Sequence, residues 1–374
     1  MKLNNKQINT IFTIILAACV VITAAVVLLL HRDGGKADAE PVFLENTTEK
    51  PVRPDGFFCE NKEWYYYENG SKTQKDGLFS GTVKGKEGNW YVRDSKVDFS
   101  YNALINKGGN NYLYVVNGEA SEINAGEALN KVSDRLKEPT EQNVFSLHGD
   151  YQLSEKAREA LGDAVKQIEN KGYKVGMMVM ELGSLTGFSY NADESIYSAS
   201  TIKGPYVASL VKYDNSVLEK EKNSITAILE KSSNGDYSSL RNRYGDECFV
   251  DWAKKSGSDF EVSTTDIYQF ITPRQLAHLW LNSYFFFESG DVGKQLGGMF
   301  ENPETSPIHS VLSQKYKTRT KAGWVSVGGI HVTNDAGIIY AGEKTYLVSI
   351  MTTAPCNFYI VENLVKAMDV AISG

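Results

Sequence analysis

Asp193-Glu-Ser-Ile-Tyr197-Ser-Ala-Ser200-Thr-Ile-Lys203-Gly-Pro-Tyr206-Val-Ala-Ser-Leu210 is the stretch that decides how this chain is read. A serine hydroxyl becomes a competent nucleophile only when a neighbouring base removes its proton. Lys203 follows Ser200 at i+3, and on a helix those two side chains share a face. Val207, Leu210 and Val211 recur at helical spacing behind Lys203, which predicts a helix there. Ser200 then stands near its first turn, where the helix dipole favours developing negative charge. A lysine serves as a base only if burial or a second cation lowers its pKa, and Lys321 is the candidate cation. Ser-x-x-Lys alone is a weak signal. Ser209-Leu-Val-Lys212 repeats it and reads as the middle of the same helix. The assignment to Ser200 needs partners further along the chain.

The 374 residues carry a net charge of −7 and 11% aromatics. At about 150 residues per domain that length allows two domains and an anchor. No basic stripe marks a nucleic-acid surface. The histidines, His31, His148, His278, His309 and His331, are scattered, with no pair at metal-ligand spacing; neither a metal nor a cofactor is implied. Cys19, Cys59, Cys248 and Cys356 are too sparse for a disulfide framework, although a single Cys248–Cys356 bridge remains open.

Residues 11–30 carry no charge, and about 20 apolar residues suffice to span a bilayer. They predict an uncleaved membrane anchor, with residues 1–30 forming a cytoplasmic tip and the span. The flanking charges, Lys2 and Lys6 before and His31, Arg32 and Lys36 after, leave the orientation ambiguous. An extracytoplasmic position for the rest is the simpler expectation. Two alternatives stand beside it: a cleaved signal peptide, and a lipoprotein modified at Cys19 within Leu16-Ala-Ala-Cys19. Residues 31–54, polar and holding Gly34-Gly35, Pro51 and Pro54, read as a linker.

Residues 55–120 look repetitive. Glu63-Trp-Tyr-Tyr-Tyr-Glu-Asn-Gly70, Asn89-Trp-Tyr-Val-Arg-Asp-Ser95 and Asn111-Tyr-Leu-Tyr-Val-Val-Asn-Gly118 are each a short aromatic strand closed by a turn residue. They predict a small β-hairpin array with stacked aromatics. The pattern resembles the aromatic repeats of bacterial cell-wall-binding and choline-binding modules, which implies adhesion to a wall polymer. The rival reading is a spacer whose aromatics fill its own core. Residues 121–150 read as a connector with one helix near 125–136.

From residue 151 the order is a helix over 153–171 and strands over 175–182 and 188–190. The Ser200 helix follows, then helices at 224–231, 251–255 and 273–286. Strands over 316–325, 329–340 and 345–353 and a closing amphipathic helix over 358–372 complete the chain. This predicts an α+β domain over 151–374. A five-stranded antiparallel sheet would be flanked by the terminal helices, with a reduced helical subdomain beside it.

Two further motifs fall in order after Ser200. In Ser232-Ser-Asn234 the first serine is placed to pass a proton between Lys203 and a leaving group, and Asn234 to hold Lys203 and a substrate amide. In Lys321-Ala-Gly323, ahead of Trp324, a strand offers a cation and a small-residue edge. Together these resemble the penicillin-binding-protein and class A β-lactamase-like serine hydrolases, with their Ser-x-x-Lys, Ser-x-Asn and Lys-Thr/Ser-Gly. Ile271-Thr-Pro-Arg-Gln-Leu-Ala277, Asn334-Asp-Ala-Gly-Ile-Ile-Tyr340 and Tyr346-Leu-Val-Ser-Ile-Met-Thr-Thr353 add to the likeness. The resemblance implies Ser200 as acylated nucleophile, Lys203 as base, Ser232 as proton relay, Asn234 as substrate holder and Lys321 as carboxylate anchor. It also implies an oxyanion hole made by the backbone N–H groups of Ser200 and Trp324, with Gly323 letting substrate approach the strand.

This chain departs from that pattern in places. The Glu-x-x-x-Asn whose glutamate activates the deacylating water is absent from 235–272, leaving Glu261 as the candidate base. Ala322 stands where Thr or Ser usually contacts the carboxylate. Ile330 and His331 occupy the neighbourhood of the arginine of the next strand, and the interval from Ser200 to Ser232 is short. The expected activity is acyl-enzyme hydrolysis of β-lactams or related amides. D,D-peptidase action on peptidoglycan stems, or an inert wall-binding or sensory module, are the alternatives.

Overall fold

The computed structural model describes residues 53–373. The apolar run 11–30, the linker and Cys19 lie outside them. Among the described residues no helix is long and apolar enough to cross a membrane.

Residues 56–124 form nine strands: β1 (Gly56–Glu60), β2 (Glu63–Glu68), β3 (Ser71–Lys72), β4 (Gly77–Val83), β5 (Lys86–Arg93), β6 (Lys96–Val97), β7 (Ala103–Gly108), β8 (Asn111–Val116) and β9 (Glu119–Asn124). They make one antiparallel sheet in the order β1-β2-β6-β5-β9-β8-β7, with β3 on β2 and β4 on β5. The hairpins close through pairs of residues at positive φ, including Asn61-Lys62, Asn69-Gly70 and Asn117-Gly118, the backbone that matches strand twist in two-residue turns. Trp90, Val83, Val92 and Val97 are buried under Phe57, Trp64, Tyr66, Phe79 and Phe99. The rings of Tyr91 and Tyr101 stack at 3.6 Å.

The segment expected as a connector is built into the fold. Helix α1 (Ala125–Leu136) starts from a capping box between Asn124 and Glu127. Its buried face, Ala128, Val132 and Leu136, enters the same core as Leu104 and Tyr112 of the strand module and Phe285 further on. Phe145–His148 then forms β10, an edge strand. The sheet of the C-terminal domain is therefore six-stranded, and the expected five-stranded sheet is corrected by this addition. Four residues are too few to show a strand period, and β10 exists through pairing with Gly187–Tyr190.

The remaining elements are α2 (Glu155–Glu169), β11 (Val175–Glu181), β12 (Thr186–Tyr190), β13 (Ile196–Tyr197), a 3₁₀ turn (Ala199–Ile202), α3 (Lys203–Tyr213), α4 (Val217–Lys220), α5 (Lys222–Lys231), α6 (Asn234–Tyr244) and α7 (Glu247–Lys255). After them come β14 (Phe270–Ile271), α8 (Pro273–Glu288), α9 (Asp291–Gly298), α10 (Pro307–Leu312), β15 (Lys317–Val327), β16 (Ile330–Ala341), β17 (Lys344–Thr352) and α11 (Phe358–Ile372). The sheet order is β10-β12-β11-β17-β16-β15, antiparallel throughout. Alternation along β11 explains its unbroken apolar sequence. Met177 and Val179 face one core, with Leu161, Val165, Leu364 and Val365 from α2 and α11. Met178 and Met180 face the other, with the α3 and α8 residues Val207, Leu276 and Trp280. Cys248 is buried while Cys59 and Cys356 are exposed, and all three are free thiols, so the Cys248–Cys356 bridge does not form.

Candidate active site

The nucleophile turn lies between the helical layer and the open edge of the sheet. Ser200 sits in the 3₁₀ turn and Lys203 is the first residue of α3. With three residues per turn, a 3₁₀ segment superposes i and i+3, so serine and lysine share a face. Ala199 enters the turn at φ 44°. The buried Asn334 of β16 holds that entry, donating from Nδ2 to the carbonyl of Tyr197 at 2.8 Å and that of Ser198 at 3.2 Å, while its Oδ1 accepts from the Thr352 amide at 3.0 Å.

Lys203 is fully buried. Its Nζ donates to the Ser232 carbonyl at 2.7 Å and to Asn234 Oδ1 at 2.6 Å. Burial lowers its pKa to about 8, since the low-dielectric interior penalises the charged form. Ser232 terminates α5 in the left-handed region, at φ 60°, which turns its carbonyl toward Lys203. Its hydroxyl accepts from Lys321 Nζ at 3.0 Å. Lys321 also donates to the Ala322 carbonyl at 2.8 Å. Burial lowers its pKa to about 7, the Lys203 charge acts in the same sense, and Asp335 opposes them. Asp335, buried on β16, accepts from Ser306 Oγ at 2.6 Å and from the Ile308 amide at 2.9 Å. Burial pushes its carboxyl up to about 7.

The geometry of β15 supplies the second backbone donor. The Thr320 amide donates outward, away from β16, to the Phe300 carbonyl at 3.3 Å. Period-two alternation sends the Trp324 amide to the same open edge. Gly323 lies flat against the nucleophile turn: a Cβ there would stand 2.5 Å from the amide nitrogens of both Ser200 and Thr201. The Trp324 ring packs edge-on against Phe358 at 5.3 Å.

The structure thus brings Lys203, Ser232, Asn234 and Lys321 into one hydrogen-bonded chain, with the Ser200 turn against Gly323. Ser209 lies elsewhere: its hydroxyl bonds the Tyr206 carbonyl within α3. Glu261 is exposed on the 256–270 loop, where its carbonyl accepts from Gln269 Nε2 at 3.0 Å. The residue of that loop that reaches the site is Tyr268, whose hydroxyl donates to Asn234 Oδ1 at 2.9 Å. Ala322 is buried and brings no hydroxyl, and the half-exposed Ile330 lies at the strand tip beside His331, which is tied to Ser326 at 2.9 Å. Sequence reasoning assigned no role to Tyr268, Asn334 or Asp335. The motif Asn334-Asp-Ala-Gly carried the only trace of the last two, and no periodicity marks an irregular loop such as that of Tyr268.

This is a β-lactamase/transpeptidase-like α+β fold. Residues 238–368 match the model of the beta-lactamase enzyme family. The match takes in Lys321, Gly323 and Trp324 but begins after Ser200, Lys203, Ser232 and Asn234, so the placement of those four rests on the geometry above. No curated protein matches the sequence. Among solved structures, a β-lactamase from Sphaerobacter thermophilus DSM 20745 is similar at 16% identity over 57% of this chain and 97% of its own, with a TM-score of 0.48. A class A β-lactamase from Clostridium kluyveri DSM 555 is similar at 16% over 58% and 98%, with a TM-score of 0.47. The structure titled PBP-A is similar at 16% over 57% and 96%, with a TM-score of 0.48.

Proposed function

We propose that this protein is a serine hydrolase that acylates Ser200 with β-lactams or related amides. The observation that carries this reading is the placement of a buried lysine of depressed pKa one 3₁₀ turn from a serine, locked by Ser232 and Asn234. In the proposed cycle neutral Lys203 takes the Ser200 proton as Oγ attacks the carbonyl. The amides of Ser200 and Trp324 receive the oxyanion. Ser232, bonded to Lys321, returns a proton to the leaving nitrogen. Deacylation then needs a water and a base. Because the 256–270 loop offers a tyrosine rather than a carboxylate to Asn234, release is slow, and the chain behaves toward penicillin as a penicillin-binding protein does. That feature favours D,D-peptidase-like chemistry on peptidoglycan stems as the second reading. Intact-mass measurement with benzylpenicillin should show one stoichiometric, persistent adduct, lost in Ser200→Ala and retained in Ser209→Ala. An adduct that survives Ser200→Ala, or its complete absence from the parent, overturns the proposal, the latter in favour of an inert module.

The proposal extends to the cell. Residues 11–30 anchor the chain in a bacterial membrane with the hydrolase outside. Residues 55–120 act as a spacer, a role supported by how many of their aromatics are spent on their own core, with wall-polymer binding as the competing role. Fractionation of the full-length chain tests the anchor, and a lipid-modified mature N-terminus at Cys19 would replace it.

A further inference from the structure

We propose that Tyr268 is the positioning residue that fixes the Asn234 amide for its substrate, a role that rests on the acyl-enzyme reading above. Asn234 Oδ1 accepts twice, from Lys203 Nζ at 2.6 Å and from the Tyr268 hydroxyl at 2.9 Å. Carbonyl oxygens have two lone pairs, so Oδ1 is saturated. The terminal –NH₂ is thereby turned away from the lysine and toward a substrate carbonyl. Without Tyr268, the single hydrogen bond from Lys203 Nζ would define the amide, and the flipped rotamer would compete. The phenol is well built for this task. Tyr268 is partly buried, its ring centroid lies 5.6 Å from that of the fully buried Tyr237 and 6.5 Å from that of Tyr197, and Lys203 Nζ lies 5.7 Å from it. Burial raises its pKa, so the hydroxyl remains a donor throughout the neutral range. Tyr237 is itself held by Arg241 at 2.9 Å, which makes the Tyr268 ring rest on a braced surface. The Tyr268 backbone N–H donates to Asp266 Oδ1 at 3.0 Å, so the loop delivers the ring in one pose.

The consequence is substrate-selective. An acylamido side chain offers Asn234 a carbonyl oxygen; a bare amine at the same position does not. Tyr268→Phe keeps the ring and removes only the donor. Acylation rates of parent and variant are compared with two probes, benzylpenicillin and 6-aminopenicillanic acid, alongside Asn234→Ala and the double variant. The expected result is a loss of about five- to tenfold with benzylpenicillin in Tyr268→Phe, the size of one hydrogen bond, a change of less than about twofold with 6-aminopenicillanic acid, and no additional loss when Tyr268→Phe is added to Asn234→Ala. Equal losses with both probes, no loss with either, or full additivity in the double variant overturn the inference while leaving the acyl-enzyme reading intact. A parent chain that acylates with neither probe overturns that reading and this inference together.

Discussion

At the residue scale the decisive quantity is the protonation of Lys203. A base acts in its neutral form, and burial has brought this lysine's pKa down to about 8. The sign follows directly: the neutral fraction grows as pH rises toward 8 and saturates above it. Acylation of Ser200 is therefore expected to climb about tenfold per pH unit between pH 6 and 7.5, then level off above about 8. Lys203→Ala should lose about 10²–10⁴-fold and lose that pH dependence with it. Stopped-flow acylation across the range checks both, and a flat parent profile would remove Lys203 from the role of base.

At the element scale the active site depends on how closely β15 approaches the nucleophile turn. Gly323→Ala would place a methyl 2.5 Å from two backbone nitrogens, and backbone cannot yield as a flexible side chain can. The turn must shift, and displacements near 1 Å at a reacting centre cost about 100-fold. The variant is expected to keep its circular dichroism and lose acylation by about that factor; parent-like acylation would mean that the turn and strand separate easily. The same scale shows what was legible beforehand. Strands β11, β16 and β17 and helices α2, α8 and α11 were readable because apolar runs or amphipathic periods fix them, and β12 and β15 from the turn residues beside them. So were Ser200, Lys203, Ser232, Asn234, Lys321 and Gly323, which the structure draws to one place. Strand β10 was hidden by its shortness. Helix α6 was hidden by its polar sequence, Asn234-Gly-Asp-Tyr-Ser-Ser-Leu-Arg-Asn-Arg-Tyr244, although Ser233 bonded to the Asp236 amide is a helix-start signature. Tyr268 was hidden because a loop residue's partner is set by tertiary position alone.

At the scale of the whole molecule, Leu104 and Tyr112 of the strand module and the buried face of α1 join one of the hydrolase's two cores, and His278 sits beside α1 at that junction. Its Nδ1 donates to the Ser256 carbonyl at 2.9 Å and lies 3.4 Å from Ser133 Oγ of α1. Burial lowers its pKa to about 4. The folded pKa is below the unfolded value of about 6.5, so the unfolded chain binds the proton first, and stability is lost as pH falls from about 6.5 toward 4. At pH 5 the loss from this group is about 2 kcal/mol. Denaturant melts at pH 7.5 and 5 should show it in the parent and not in His278→Gln, once that variant's own constant cost is subtracted. An equal pH response in both chains would assign acid sensitivity elsewhere.

The position of β11 within its sheet also sets a timetable for the growing chain. Val175–Glu181 has β12 on one side, made soon afterwards, and β17, Lys344–Thr352, on the other. Half of that central strand's ladder waits for residues that emerge long after it, and α11, which covers one face of the sheet, comes later still. Strands β1 to β9 pair only with one another, so they can close while the hydrolase is still being made. A chain stopped at residue 343 should then yield to trypsin everywhere except within about 53–124. The full chain meets its environment, for much of its birth, as a finished β module trailing an open sheet whose nucleophile turn has no strand to lean on.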